Sequence, residues 1–380
     1  MRMPLSLLTG FPGFIGRRLV ARLLERDPEL RLAAVVEARM LDAARSAAAE
    51  IDRQRLEVIA GDIAQPRLGL ADQEYERLRA ETRRVFHLAA IYDLAVPLTQ
   101  AQRVNVEGTG NVVDFCLGAK SLERLAYVST AYVAGRRTGV VYEHELVVGQ
   151  GFKNHYESTK FQAEVWVREF MDRVPTTILR PAIVVGDSRT GETQKFDGPY
   201  YLLRVISESH RAGRTIPNFG RSEAPFNVVP VDYVIDAIAT TAYAEQAAGE
   251  TLHLVDAEPL SARGLTEALS LEYAGRSPKW RLPPALAEAS LRLKPLRARL
   301  GGTPPESIAY LNHPVVFDTR RARAVLSPHG LRPPNFRSYI GAMVGFFRAH
   351  EDDPRFAPSP GRGDLLSACP RSPRPCTRRS

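Results

Sequence analysis

"LLTGFPGFIGRRLV", residues 7–20, places three glycines between an apolar segment and an amphipathic one. Glycine permits a tight turn there and lets the backbone approach a pyrophosphate, whose charge meets the N–H groups at the start of the next helix. The spacing is G-x-x-G-x-x-G rather than G-x-G-x-x-G, and a glycine triplet alone also occurs in ordinary loops. Its place between a strand and a helix near the first residue predicts a dinucleotide-binding turn. The expected contacts are Thr9, Gly10, Gly13, Phe14, Ile15 and Gly16.

Strand-like and helix-like segments alternate through the first half of the chain, which is typical of a parallel sheet covered by helices on both faces. The helical segments include Ile15–Leu24, with apolar residues at i, i+4 and i+8, and Arg103–Leu117. The fold class predicted is α/β, a doubly wound parallel sheet of the Rossmann type. The predicted strands are Leu5–Leu8, Leu32–Val36, Glu57–Ala60, Val85–Leu88, Leu125–Ser129 and Thr177–Val185.

The second half of the chain loses this regularity from about Asp187. We predict an NAD(P)-binding domain over residues 1–186 and a smaller, mostly C-terminal substrate lobe over 187–350, interleaved with the last strands of the sheet. Residues 351–380 are rich in Pro, Ser and Arg and are predicted to be disordered. The elements predicted in the lobe are a strand near Asn227–Val231, a helix near Tyr233–Tyr243 and a strand at Leu252–Val255.

Composition narrows the class of partner. The net charge is +8 and the pI is near 9.5, but the basic residues are scattered and no basic stripe alternates with aromatics, so nucleic-acid binding is not predicted. No run of about 18 apolar residues occurs, so we expect no integral membrane segment and a cytoplasmic location. The three cysteines and eight histidines show neither a disulfide framework nor metal-ligand spacing.

Two residues after the second strand bear on the choice of cofactor. Glu37 would accept a hydrogen bond from a free ribose 2′-hydroxyl and favours NAD, whereas Arg39 would pair with a 2′-phosphate and favours NADP. After the third strand, Asp62 is placed either to contact adenine or to stabilise the turn at the strand end.

"HYESTK", residues 155–160, pairs Tyr156 with Lys160, one of six lysines among 51 basic residues. Residues four apart share one helix face. An ammonium about 4 Å from a phenol would favour the phenolate by up to about 4 kcal/mol at an effective dielectric near 20, or about three pKa units. Lysine also has donors for a ribose hydroxyl. The neighbouring His155 is expected to be a wall of the pocket.

The fifth predicted strand ends in two hydroxyls, Ser129 and Thr130, at the edge where doubly wound sheets bind ligands. A hydroxyl there could donate to the oxygen of a carbonyl during reduction, or could cap the strand end. Arg180 and Pro181 end a later strand near the expected nicotinamide, where the proline is expected to shape the loop.

Taken together, these motifs resemble the extended short-chain dehydrogenase/reductases: TGxxGxxG at Thr9–Gly16, "HLAA" at His87–Ala90, Asn105, the Ser129–Thr130 pair and YxxxK. The resemblance covers roughly residues 5 to 260. Within that family the chain looks most like the group of fatty acyl-CoA reductases, male-sterility proteins and thioester reductase domains of carboxylic acid reductases. The segments that carry this are "GDIAQPRLGL" (61–70), "RVNVEGTGNVV" (103–113), "HYESTK" (155–160), "RPAIVVGDSRTGE" (180–192) and "FNVVPVDYV" (226–234).

The resemblance implies a role for each matching residue. Tyr156 would be the proton donor, Lys160 its activator and ribose ligand, and Thr130 the partner hydroxyl, with Ser129 beside it. Asn105 would support the region of the catalytic lysine. NADPH is the usual cofactor of the group, although Glu37 stands where those relatives carry a basic residue. The cofactor contacts implied beyond the glycine turn are Glu37, Arg39, Asp62, Ile63, Ala89, Lys160 and Pro181.

The resulting expectation is an NAD(P)H-dependent reductase of a carbonyl substrate, foremost a fatty acyl thioester on CoA or an acyl carrier, giving aldehyde or alcohol. A homodimer is possible. One alternative is a dehydrogenase, epimerase or dehydratase acting on a sterol or nucleotide sugar with the same tyrosine and lysine. An alternative of another class is a dinucleotide-sensing protein without catalysis, which would need the glycine turn but not the Thr130, Tyr156 and Lys160 set.

Overall fold

The computed structural model describes residues 4–92, 96–219, 223–282 and 308–356. Its centre is a seven-stranded parallel sheet, so the predicted α/β fold class is confirmed. The strands of the described residues are β1 (Leu5–Thr9), β2 (Arg31–Val36), β3 (Leu56–Ala60), β4 (Thr82–His87), β5 (Arg124–Val128), β6 (Gly139–Val141), β7 (Thr176–Pro181), β8 (Ile183–Val185), β9 (Pro217–Phe219), β10 (Val228–Pro230), β11 (Thr251–Leu254), β12 (Trp280–Leu282) and β13 (Val315–Phe317). In the central sheet the strands lie in the order β11-β7-β5-β4-β1-β2-β3.

Helices cover both faces of this sheet. Successive strand residues point to opposite faces, so Leu8 packs with the first helix while Leu7 joins the opposite layer. The two layers are therefore filled by alternate positions of the same buried strands. The helices are α1 (Phe14–Arg26), α2 (Leu41–Ile51), α3 (Asp72–Glu81), α4 (Leu98–Ala101), α5 (Gly108–Gly118), α6 (His155–Glu169), α7 (Tyr200–Arg211), α8 (Val231–Thr241), α9 (Ala262–Ala274), α10 (Ile308–Leu311), α11 (Arg320–Leu326) and α12 (Phe336–His350).

One predicted strand, Thr177–Val185, is two strands in the structure. The N–H of Ala182 still donates to Leu254 in the main sheet, whereas the N–H of Ile183 donates to Asn227. The chain therefore leaves the main sheet at this point, and β8 pairs with β10 in a separate two-stranded sheet. Strand-like residues on both sides of Arg180 and Pro181 concealed this change of partner.

A second hydrophobic cluster, built on α7, α9 and α12, forms the smaller lobe. Helix α8 packs on α1, and β11 joins the main sheet beside β7, although both elements follow residue 187. The predicted boundaries at residues 186 and 350 stay predictions.

The start of the segment predicted to be disordered is ordered over 351–356. Glu351 accepts hydrogen bonds from Ser207 and Tyr273, and the ring of Phe356 stacks on Phe196 with centroids 4.7 Å apart. Residues 357–380 lie outside the described residues. Within the described ranges, no helix combines the length and the apolarity needed to span a bilayer.

Candidate active site

The glycine turn follows β1 at the carboxyl edge of the sheet. Gly10 has φ +92, and a Cβ there would lie 2.9 Å from the backbone nitrogen of Ala89. A Cβ on Gly13 would lie 2.9 Å from the carbonyl oxygen of Gly10, and one on Gly16 would overlap that oxygen. Bare backbone is thus required at the start of α1, whose first turn carries no acidic side chain. This cradle fits an anionic pyrophosphate.

Three of the other residues predicted to contact the cofactor lie in or next to the turn, and a fourth, Pro181, lies at the end of β7. The hydroxyl of Thr9 accepts from the N–H of Ala89 at 3.2 Å, which ties the turn to the end of β4. Phe14 and Ile15 form the first turn of α1. Pro181 ends β7, and its carbonyl oxygen faces the hydroxyl of Thr130 at 3.5 Å.

At the end of β2 the two cofactor signals contact each other. A carboxylate oxygen of Glu37 lies 2.8 Å from a guanidinium nitrogen of Arg39, and the two side chains are 49% and 65% exposed. Arg39 is therefore already ion-paired with Glu37.

The turn after β3 holds the next two predicted contacts. Asp62 accepts from the N–H of Ala64 at 2.9 Å and lies 3.4 Å from Arg103, so it stabilises this turn. Ile63 is buried, and its carbonyl oxygen accepts from Asn111. A contact of Asp62 with adenine stays a prediction.

Tyr156 and Thr130 meet at the end of β5. Thr130 begins a 3-10 turn by accepting from the N–H of Tyr132, and its hydroxyl lies close enough to the phenol of Tyr156 to lower the pKa of that phenol. Asn154 caps α6 and thereby fixes the turn that carries Tyr156. Burial raises the pKa of Tyr156 well above its usual range, against the lowering effect of Thr130, and the charge of Glu157 raises it further. The phenol is therefore protonated at neutral pH.

Lys160 lies elsewhere than expected. Its ammonium donates to the hydroxyl of Tyr127 at 3.0 Å and to the carbonyl of Val128 at 2.9 Å, and it sits 4.5 Å from the centre of the Tyr127 ring. Burial lowers the pKa of Lys160 to about 7, while Glu164 opposes this shift. The expected lowering of the Tyr156 pKa by Lys160 is wrong for this state, because the ammonium is held against β5.

Ser129 belongs to a buried charge network. Its hydroxyl donates to Glu164 at 2.6 Å, and the guanidinium of Arg180 lies 3.1 Å from both carboxylate oxygens. Although burial opposes it, Arg180 keeps the pKa of Glu164 below its usual range. Ser129 is thus held away from the Thr130–Tyr156 pair, and Arg180 anchors α6 rather than facing a ligand. The i, i+4 spacing of Glu164 from Lys160 was the available signal for this network.

A second buried chain of hydrogen bonds joins the glycine turn to α6. The hydroxyl of Thr9 contacts His87 at 2.7 Å, and the other nitrogen of His87 contacts Thr109 at 3.0 Å. Thr109 donates to the carbonyl of Asn105, whose amide donates to Thr159 beside Lys160. Burial and the neighbouring Lys160 lower the pKa of His87 to about 3, so the imidazole is neutral. Asn105 lies in a π-helical turn, Gln102–Glu107, between α4 and α5.

Aromatic rings pack around Tyr156 and next to Thr130. Tyr92 meets Tyr156 edge-on with centroids 5.1 Å apart, and Tyr132 meets Tyr310 at the same distance. His155, predicted to be a wall, is exposed at the start of α6. Sequence reasoning missed these tyrosines because they lie far apart along the chain. In the described part of the chain, no group of three or more His, Cys, Asp or Glu could hold a metal ion.

Comparison with known proteins gives consistent matches. The model of the family described as Male sterility protein matches residues 8–238. FrzA of Cladobotryum sp, a non-canonical nonribosomal peptide synthetase, is 28% identical over 363 residues, covering 86% of this chain and 34% of that protein. A carboxylic acid reductase of Segniliparus rugosus is 27% identical over 270 residues, covering 62% of this chain and 22% of that protein. This chain spans about a third or less of these relatives.

A solved structure matches over nearly the whole length of both chains. The terminal R domain from the myxalamid PKS-NRPS biosynthetic pathway aligns with a TM-score of 0.78 at 26% identity. The alignment covers 94% of this chain and 93% of that one.

Proposed function

This chain belongs to the male sterility protein family of NAD-binding domains, within the extended short-chain dehydrogenase/reductases, and on that premise we propose that it reduces an acyl thioester. The proposed reaction uses NADH or NADPH and gives an aldehyde and a thiol. Reduction of the aldehyde to an alcohol would consume a second equivalent of the cofactor.

The Thr130–Tyr156 pair is the observation that carries the proposal. Two hydroxyls converge at the carboxyl edge of the sheet beside the glycine turn, and the phenol keeps its proton at neutral pH. A protonated phenol can donate to an oxygen that gains charge, which is what reduction of a carbonyl requires. A reductase uses the protonated phenol, whereas the oxidative alternative would use the phenolate.

The residues divide the proposed chemistry between them. Gly10, Gly13 and Gly16 would hold the pyrophosphate of the dinucleotide. The nicotinamide of the dinucleotide would supply the hydride. Tyr156 donates its proton to the carbonyl oxygen while Thr130 donates a hydrogen bond to the same atom. The product of this step is a hemithioacetal. Its C–S bond then breaks and its hydroxyl proton passes to the thiolate, which releases aldehyde and thiol.

The cofactor preference that we propose is for NADH. Glu37 follows β2, where the ribose hydroxyls are expected, and its carboxylate pairs with Arg39, a cation that could attract a 2′-phosphate. The ion pair of Glu37 with Arg39 thus reconciles the NAD signal of the glutamate with the NADP signal of the arginine.

For the acyl group there are two candidates. A fatty acyl-CoA or fatty acyl carrier follows from the resemblance to fatty acyl-CoA reductases and would place the chain in lipid metabolism. An aminoacyl or peptidyl thioester on a carrier domain is favoured by the relatives, which include nonribosomal peptide synthetases and a carboxylic acid reductase. The homodimer and the cytoplasmic location are proposals that rest on the sequence.

A substrate panel tests the proposed function. The purified chain is given NADH or NADPH with a long-chain acyl-CoA, an aminoacyl pantetheine thioester, the matching aldehydes and a nucleotide sugar. Cofactor oxidation with either thioester supports the proposal and identifies the acyl class. Turnover of aldehydes alone would make the chain a carbonyl reductase, and turnover of the nucleotide sugar alone would favour the epimerase or dehydratase alternative. Tight dinucleotide binding without any turnover would favour a sensing role.

A further inference from the structure

A hydroxyl from far along the chain reaches the first turn of the catalytic helix. Tyr310, in α10, accepts a hydrogen bond at 2.8 Å from the side-chain amide of Asn154. Asn154 is also the N-cap of α6, since its side-chain oxygen accepts from the N–H of Glu157 at 3.0 Å. The residue that caps the helix of Tyr156 is thus itself held by Tyr310.

Tyr310 also contacts the carboxylate that follows Tyr156. Glu157 is fully buried, and it lies close enough to the hydroxyl of Tyr310 to raise the pKa of that phenol further than burial alone does. The ammonium of Lys153, also buried, lies 3.2 Å from the same carboxylate and 5.1 Å from the centre of the Tyr310 ring. A buried carboxylate is stable when it is paired and hydrogen-bonded, and Lys153, whose backbone N–H also donates to Glu157 at 2.9 Å, holds this carboxylate beside Tyr310.

These contacts join the C-terminal part of the chain to the catalytic helix. The ring of Tyr310 packs edge-on against Tyr132, and Tyr132 follows Thr130 by two residues. Tyr132 also packs on Phe317 of β13, the strand that pairs with β6. Tyr310 therefore contacts one residue that supports each hydroxyl of the candidate site. Its ring packs on Tyr132 beside Thr130, and its hydroxyl accepts from Asn154, which caps the helix of Tyr156.

We propose that Tyr310 is a positioning residue for Tyr156. It acts through Asn154 and Glu157, which bracket Tyr156 in the first turn of α6, and it keeps the phenol directed at Thr130. The inference rests on the proposed reductase function for its kinetic effect, but the ordering of the helix turn is independent of any substrate.

The test compares Tyr310→Phe with Asn154→Ser. Serine caps a helix about as well as asparagine but has no amide to reach Tyr310. Each variant loses the same hydrogen bond, so kcat should fall on the order of tenfold in both, with KM for the dinucleotide unchanged. The double variant should be no worse than the single ones, because interactions of one unit are not additive. Amide hydrogen exchange in the first turn of α6 should rise on the order of tenfold in all three.

Matched controls remove the same groups elsewhere. Tyr273→Phe loses a hydroxyl bonded to Ser207 and Glu351 in the smaller lobe, and Asn335→Ser replaces the N-cap of α12. Neither control should change kcat or exchange in α6. Unchanged α6 exchange in Tyr310→Phe, or additive losses in the double variant, would overturn the inference. If the wild-type chain reduces no thioester, the proposed function fails, and the exchange measurements still decide the role of Tyr310.

Discussion

The two halves of the candidate site, the cofactor half and the catalytic half, are built in different ways. The cofactor half is local: Gly10, Gly13 and Gly16 lie within one turn, and their function depends on the absence of side chains. The catalytic half is assembled from distant segments. Lys160 donates a hydrogen bond to Tyr127 of β5, and Asn154, which caps the helix that carries Tyr156, is itself hydrogen-bonded to Tyr310. A local motif can specify the first half, whereas only the folded chain specifies the second.

The energetics of the two halves differ as well. In the glycine turn, close packing decides which residues are tolerated, because one added methyl group meets backbone atoms. In the catalytic half, stability depends on how buried charges are paired, because Lys160, Glu164 and Arg180 are almost completely buried. Buried charges cost several kcal/mol each unless partners compensate them. Substitutions should therefore act sterically in one half and through pH and pairing in the other.

The largest effect is expected where the cofactor half is broken. Gly16→Ala places a methyl group against the Gly10 carbonyl and should raise the Kd for the dinucleotide by roughly 100-fold, or about 2.7 kcal/mol. The control is Gly345→Ala in α12, also a helical glycine, where an added Cβ meets nothing within 4 Å. Titration by nicotinamide fluorescence gives both values. A dinucleotide bound equally well by Gly16→Ala would show that this turn is not the site.

The catalytic half should respond to pH through Lys160. Its folded pKa of about 7 lies below the ordinary 10.5, so between these values the unfolded chain binds one more proton than the folded chain. The free energy of unfolding therefore rises with pH across this window. Relative to Lys160→Met, the wild-type chain should gain about 1 kcal/mol per pH unit between about pH 7.5 and 9.5.

Chemical denaturation at several pH values measures that difference. Lys120→Met is the control, because it also replaces a lysine with methionine but at an exposed position, and it leaves Lys160 in place. A difference between the wild type and Lys160→Met that stays flat with pH would mean that Lys160 is solvated rather than held against Tyr127.

The smallest effect concerns the outer end of the cofactor half. Glu37→Gln removes the charge that faces the ribose and frees Arg39, so the preference for NADH over NADPH should fall by roughly tenfold, or about 1.4 kcal/mol. The ratio of kcat/KM for the two cofactors is the measurement. Glu25→Gln, an exposed glutamate paired with Arg22 in α1, is the control and should leave the ratio unchanged. An increased NADH preference in Glu37→Gln would contradict the assignment.

The contrast between the halves also explains what the sequence could predict. Alternating buried strands and the glycine turn are local patterns, and they predicted the fold class and the position of the cradle. The Tyr156–Lys160 spacing predicted that both residues lie on one helix, as they do in α6, but not the partner of Lys160, because the hydroxyl of Tyr127 comes from another element. The Glu164–Arg180 pair and the contact of Tyr310 with Asn154 depend on tertiary packing over long sequence separations, which periodicity does not encode.

The most direct test of the central claim is a stoichiometric assay of one thioester turnover, in which nicotinamide oxidation and thiol release are followed together in the wild-type chain and in Tyr156→Phe. We expect one thiol released per cofactor oxidised, with aldehyde trapped as product, and a loss of about 10²- to 10⁴-fold in Tyr156→Phe with dinucleotide binding intact. Undiminished turnover in Tyr156→Phe, or thiol release without cofactor oxidation, would contradict the account.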